Sequence, residues 1–175
     1  DFTLHVSSTV TETDPDTGAK TTATSGTADL DVTVSAVADA PDLSVSAEQT
    51  SEDTSVALSI YTTDADGSEV ISSVEIADIP SGAVLSAGSD SGLTVTLDGS
   101  TATITGSNPD GSFTDADLTS LADGGLSILP TEDSGVDFTL HVSSTVTETD
   151  PDTGAKTTAT SGTADLDVTV SAVAD

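Results

Sequence analysis

Residues 1–39, DFTLHVSSTVTETDPDTGAKTTATSGTADLDVTVSAVAD, recur letter for letter as residues 137–175. The offset of 136 residues is too long for one turn of a solenoid and about right for one domain. The chain therefore divides into a complete unit, residues 40–175, and residues 1–39, the C-terminal strands of a preceding identical repeat. Identity over 39 positions speaks for recent duplication within a longer array.

Within the unit the dominant signal is alternation of period two. Phe138, Leu140 and Val142 alternate with Asp137, Thr139 and His141; Leu166, Val168, Val170 and Ala172 alternate with Asp165, Asp167, Thr169 and Ser171. Val56, Leu58 and Ile60 follow the pattern, as do Leu93, Val95 and Leu97. Such spacing gives strands with one buried and one wet face. The 32 threonines of the whole chain suit a pleated, half-exposed surface. DADG at 64–67, SNPDGS at 107–112 and TDPDTG at 149–154 punctuate the strands. Seven or more short strands predict an all-β, Ig-like (cadherin-like) antiparallel sandwich repeating every 136 residues. One short helical turn is predicted at 114–122, where Thr114 and Asp117 have capping-box spacing and Leu118 and Leu121 share a side. Residues 1–39 alone supply two strands and a hairpin, a marginal structure in water that needs a partner to be ordered.

Charge narrows the functions. The chain holds 31 Asp and Glu against Lys20 and Lys156, a net of −29. A phosphate-binding surface needs Lys and Arg, so nucleic acid is excluded as a partner, and anionic lipid is disfavoured. With no Cys there is no disulfide framework, thiolate metal site or cysteine nucleophile. No apolar run approaches the ~20 residues of a membrane span. No signal peptide opens the sequence, which leaves the compartment open because the chain reads as an excerpt. An acidic disordered spacer is one alternative; the ordered alternation, with cations to offset the charge, favours a fold.

Twenty-four of the acids lie in residues 40–175, against Lys156 alone, a net of −23. Most, such as Asp165 and Asp167, solvate outward strand faces. The clustered ones differ. Asp64-x-Asp66-Gly67-x-Glu69 puts three carboxylates in one turn; Glu148-x-Asp150-Pro151-Asp152, copied at Glu12, Asp14 and Asp16, forms a second cluster, and Glu52-Asp53 a third. Ca²⁺ takes six to eight oxygen ligands from flexible loops. The first cluster is not an EF-hand loop, because the glutamate at the twelfth position is missing. Alternating strand directions bring the incoming linker with Asp39 and Asp42, the loop with Asp64, Asp66 and Glu69, and the hairpin with Asp150 and Asp152 to one end. Glu52 and Asp53, and Asp175 at the exit, fall at the other end as further candidate ligands. The alternative is independent solvated turns.

The segments SAVADAPDLSVS, SEDTSVALSI, TDADGSE, IPSGAVLSAG and DFTLHVSSTVTET, in this order, resemble the tandem repeats of giant RTX-type adhesins secreted by type I systems of Gram-negative bacteria. The resemblance covers essentially the whole 136-residue unit. It implies Ca²⁺-binding "extender" sandwiches that project ligand-binding domains from the cell surface in adhesion and biofilm formation. It carries a calcium role onto Asp39, Asp42, Asp64 and Asp66. The glycine-rich nonapeptide of the RTX solenoid is missing, so the secretion signal is expected elsewhere. The partners implied are neighbouring repeats, with no small-molecule substrate. Catalysis is not expected: His5 and His141 are one repeat position, read as surface histidines with no nucleophile marked nearby. The remaining alternative is an ice- or carbohydrate-binding adhesin domain displaying threonines such as those of TVTLDGSTATIT.

Overall fold

The computed structural model describes every residue except Ala65 and Asp175. Contacts divide the chain into two units: residues 1–35 with 151–153, and residues 36–150 with 154–175. The linker residues 36–39 thus go with the second unit, where Ala38 packs against the core.

The first unit holds β1 (Phe2–Val6), β2 (Thr9–Thr13), β3 (Lys20–Thr24) and β4 (Ala28–Val32), paired β1 with β4 and β2 with β3. Four short strands stand where two strands and a hairpin were expected. The same sequence in the second unit makes one continuous strand of what β1 and β2 divide. There β9 is registered against Ser143 and Ser144; among the described residues no strand is registered against Ser7 or Ser8, although Ser25 bonds Ser8 as Ser161 bonds Ser144.

The second unit runs β5 (Asp42–Val45), β6 (Glu48–Ser51), β7 (Val56–Leu58), β8 (Ile60–Thr63), β9 (Val70–Ala77), β10 (Val84–Ala87), β11 (Thr94–Asp98), β12 (Thr101–Thr105), α1 (Asp115–Ala122), β13 (Leu126–Leu129), β14 (Phe138–Thr149), β15 (Lys156–Thr160) and β16 (Ala164–Ser171). One layer has strand order β11-β12-β9-β14-β16-β6, with β15 pairing the far half of β14. The other layer consists of β10-β13-β7 and the pair β5-β8. The unit is an all-β, Ig-like sandwich. Pairing is antiparallel except where β6 runs parallel to β16.

Alternation produces this core directly. Leu140, Val142, Val146, Leu166 and Val168 are buried, as are Ile76 and Ile104 beside them and Leu58, Ile60 and Ile128 opposite. Such aliphatic burial contributes ~25 cal/mol per Å² of apolar surface removed from water. Thr62 Oγ1 and Ser144 Oγ, both buried, join across the layers at 2.8 Å. Three expectations need adjustment. The run Val56–Ile60 is broken at Ser59, so Leu58 and Ile60 belong to β7 and β8. Leu97 is exposed, because β11 is the edge strand and Leu97 lies beside its hairpin turn. Ala172 is exposed just beyond β16.

The helix forms where predicted. Thr114 caps α1 with its side chain, and the Asp117 carboxylate returns a bond from the Thr114 N–H at 2.8 Å. Leu121 is buried and Leu118 packs against the core.

Candidate metal centre

Asp64, Asp66 and Glu69 sit in the turn between β8 and β9. Local hydrogen bonds fold the turn. Asp64 accepts from the N–H of Asp66 at 3.3 Å and of Glu69 at 3.1 Å. Asp66 accepts from the Ser68 N–H and hydroxyl, at 3.1 and 2.7 Å. Gly67 supplies the left-handed backbone the turn requires, with φ +87°.

One carboxylate oxygen from each of the three acids lies within 4.8 Å of the others. Among the described residues no other group of three metal-binding side chains is so close. The donor set is all oxygen, which hard divalent cations prefer. Burial is graded: Asp66 is exposed, Asp64 half-buried and Glu69 only 7% exposed. Glu69 Oε1 accepts the Asp39 N–H at 2.8 Å, tying the incoming linker to the turn. Glu69 Oε2 is buried with no hydrogen-bond partner. A buried, unpaired carboxylate oxygen is costly unless a cation completes it, so these residues fit a bound metal ion.

Electrostatics agree. The Asp39 N–H favours ionised Glu69, but the Asp64 side chain against it, burial, and the charges of Asp64 and Asp66 outweigh that bond. The Glu69 pKa is raised in consequence. Asp66 is held below the ordinary carboxylate range by the Ser68 hydroxyl and then its N–H.

The other candidate ligands are placed variously. Asp39 reaches the site through its backbone N–H. Asp42 is exposed and pairs with Thr63 at the β8 end that leads into the turn. Asp150 is buried, and its backbone closes the β14–β15 hairpin with Ala155 and Gly154. Asp152 falls in the first unit. At the opposite end Glu52 is buried and its Oε1 accepts the Val173 N–H. Asp53 accepts the Asp133 N–H at 3.2 Å. Those two acids tie loops together and, among the described residues, form no close group of three with another acid. Asp175 lies outside the described residues. The structure adds Glu148, named in the hairpin cluster but not among the expected ligands: its Oε2 is buried without a partner. The signal was available as parity, since Glu148 continues the inward column Val142, Ser144, Val146.

His141 lies on the sheet surface, its Nδ1 2.6 Å from Asp78 Oδ2 and its Nε2 3.5 Å from Asp165 Oδ1. No helix among the described residues is long and apolar enough to cross a membrane.

No protein-family model matches the chain, and no curated protein matches it. Among solved structures the chain is similar to the solution structure of CaCohA2 from Clostridium acetobutylicum. They share 14% identity over 76% of this chain and 92% of that one, with a TM-score of 0.45.

Proposed function

We propose that the chain is a non-enzymatic structural extender of a secreted, cell-surface adhesin of the Gram-negative RTX type, stiffened by Ca²⁺ where one repeat joins the next. The observation that carries this reading is the double engagement of Glu69. One oxygen holds the linker at Asp39, and the other is buried and unpaired beside Asp64 and Asp66. A cation there neutralises the acidic turn and fixes the residue that grips the linker. Pro41, itself buried, restricts the linker further. The partners of the unit are neighbouring repeats of the same polypeptide. Its role is reach, carrying ligand-binding domains away from the cell.

The 12-residue β14 spans about 40 Å at the usual rise per residue. Four whole repeats joined end to end then make a rod of several times that length. Small-angle scattering on a polypeptide of four repeats is expected to show this rod with millimolar Ca²⁺ and a shorter, splayed ensemble with EDTA. A flexible chain in both conditions refutes the extender role.

A further inference from the structure

Three buried side-chain oxygens of the described residues have no hydrogen-bond partner: Glu69 Oε2, Glu148 Oε2 and Thr157 Oγ1. Glu148 and Thr157 are neighbours in the sheet, and Glu69 is the residue just before β9, on the other side of β14. Thr157 on β15 is registered directly opposite Glu148. On the other side of β14, Thr147 is registered opposite Val70, so Glu69 and Glu148 are the next positions outward on adjoining chains. Parity puts them on one face. Glu148 continues the column of Ser144 and Val146, both fully buried, and Glu69 continues from buried Ile71. Residues directly opposed in a sheet have Cβ atoms roughly 4.5–5.5 Å apart, as Glu148 and Thr157 are, and Glu69 extends their row one position beyond the last registered pair, Thr147 and Val70.

Unpaired buried oxygens are uncommon, and each demands a cause. Three in one row point to one cause. The two carboxylates can only accept, and the Thr157 hydroxyl, a donor, is bonded to neither. Lys156, the only Lys or Arg of 40–175, is registered opposite Thr149, one position along and so on the other face of the sheet. It lines a surface cleft there with Asp110, Thr147 and Thr149. A hard divalent cation satisfies all three oxygens at once. We propose that the row Glu69, Glu148 and Thr157 binds a second divalent cation, calcium by its donor chemistry, with Glu69 shared between this position and that of Asp64 and Asp66. This rests on the metal reading of the Asp64, Asp66 and Glu69 turn. It makes the β14–β15 hairpin part of the same metal-linked end, so the cations join the linker, the turn and the sheet.

The repeated sequence supplies an internal control. Glu12 and Thr21 are the copies of Glu148 and Thr157 and keep the same mutual register, but both are exposed. The test is calcium titration of the 175-residue chain by calorimetry, with terbium luminescence as a second readout. Glu148→Gln is expected to bind one ion fewer than the unaltered chain, whereas Glu12→Gln binds the same number. In EDTA, Glu148→Gln is expected to melt no lower than the unaltered chain, because it removes a repulsion; this separates lost binding from lost folding. If Asp64→Asn/Asp66→Asn loses calcium and Glu148→Gln does not, the second position is refuted and the first stands. If neither substitution changes calcium binding, both fall.

Discussion

Leu4 and Leu140 occupy the same position of the same 39-residue sequence and pair with equivalent partners, Leu30 and Leu166, yet Leu4 is 46% exposed and Leu140 fully buried. The local structure is copied closely. The Val34 N–H meets Asp1 Oδ1 at 2.8 Å, and the Val170 N–H meets Asp137 Oδ1 at 2.7 Å. What differs is cover. On β14, β9 pairs along 141–147 and the opposite layer closes the face. Leu140→Ala is therefore expected to cost about 2–5 kcal/mol, and Leu4→Ala almost nothing, in urea unfolding of the second unit.

At the candidate metal centre, calcium is expected to raise the melting temperature, and Asp64→Asn/Asp66→Asn is expected to abolish most of that rise. Asp165→Asn/Asp167→Asn is expected to leave it intact, because those exposed acids lie on the outward face of β16. Ligand at 100 times its Kd stabilises the native state by about 2.7 kcal/mol, enough to read in paired melts with calcium and EDTA. Equal loss in both pairs refutes the assignment to the turn.

Asp117 sets an acid limit on stability. It is 2% exposed. Burial pushes its pKa up, but bonds to Oδ2 from the Ser107 N–H, the Thr114 N–H and the Ser107 hydroxyl, at 2.9, 2.8 and 2.8 Å, outweigh burial and hold the pKa below the ordinary range. A depressed carboxylate contributes stability above its unfolded pKa, about 4, and loses it as pH falls through the folded value. Unfolding free energy is expected to decline below about pH 4. Asp117→Asn is expected to flatten that decline and to cost about 1–3 kcal/mol at pH 7. An unchanged acid limb in the variant refutes the assignment.

Gly92 lies against the same carboxylate. Its φ is +73°, and a Cβ there would come within 2.0 Å of Asp117 Oδ1. Gly18 has a similar φ of +70° with nothing near. Gly18→Ala is expected to cost about 1 kcal/mol from backbone strain alone. Gly92→Ala is expected to cost clearly more, and a double-mutant cycle with Asp117→Asn is expected to show coupling.

Much of this molecule was legible in one dimension. The 136-residue period needed only comparison of the chain with itself, and the buried columns of β14 and β16 followed from alternation, because a strand turns successive side chains to opposite faces. The α1 cap was readable because Thr114 and Asp117 interact within one turn. The close grouping of Asp64, Asp66 and Glu69 was readable for the same reason: six residues of one turn cannot separate far. Tertiary structure decided what depends on residues distant in sequence. It used Asp39 through its backbone, spent Glu52 and Asp53 on loop N–H groups, and brought Glu148 and Glu69 to the two sides of one registered end, Thr147 opposite Val70. It also gave one 39-residue sequence two environments. Hydrogen-bonded register is local and travels with the sequence, whereas burial is conferred by whatever covers the face.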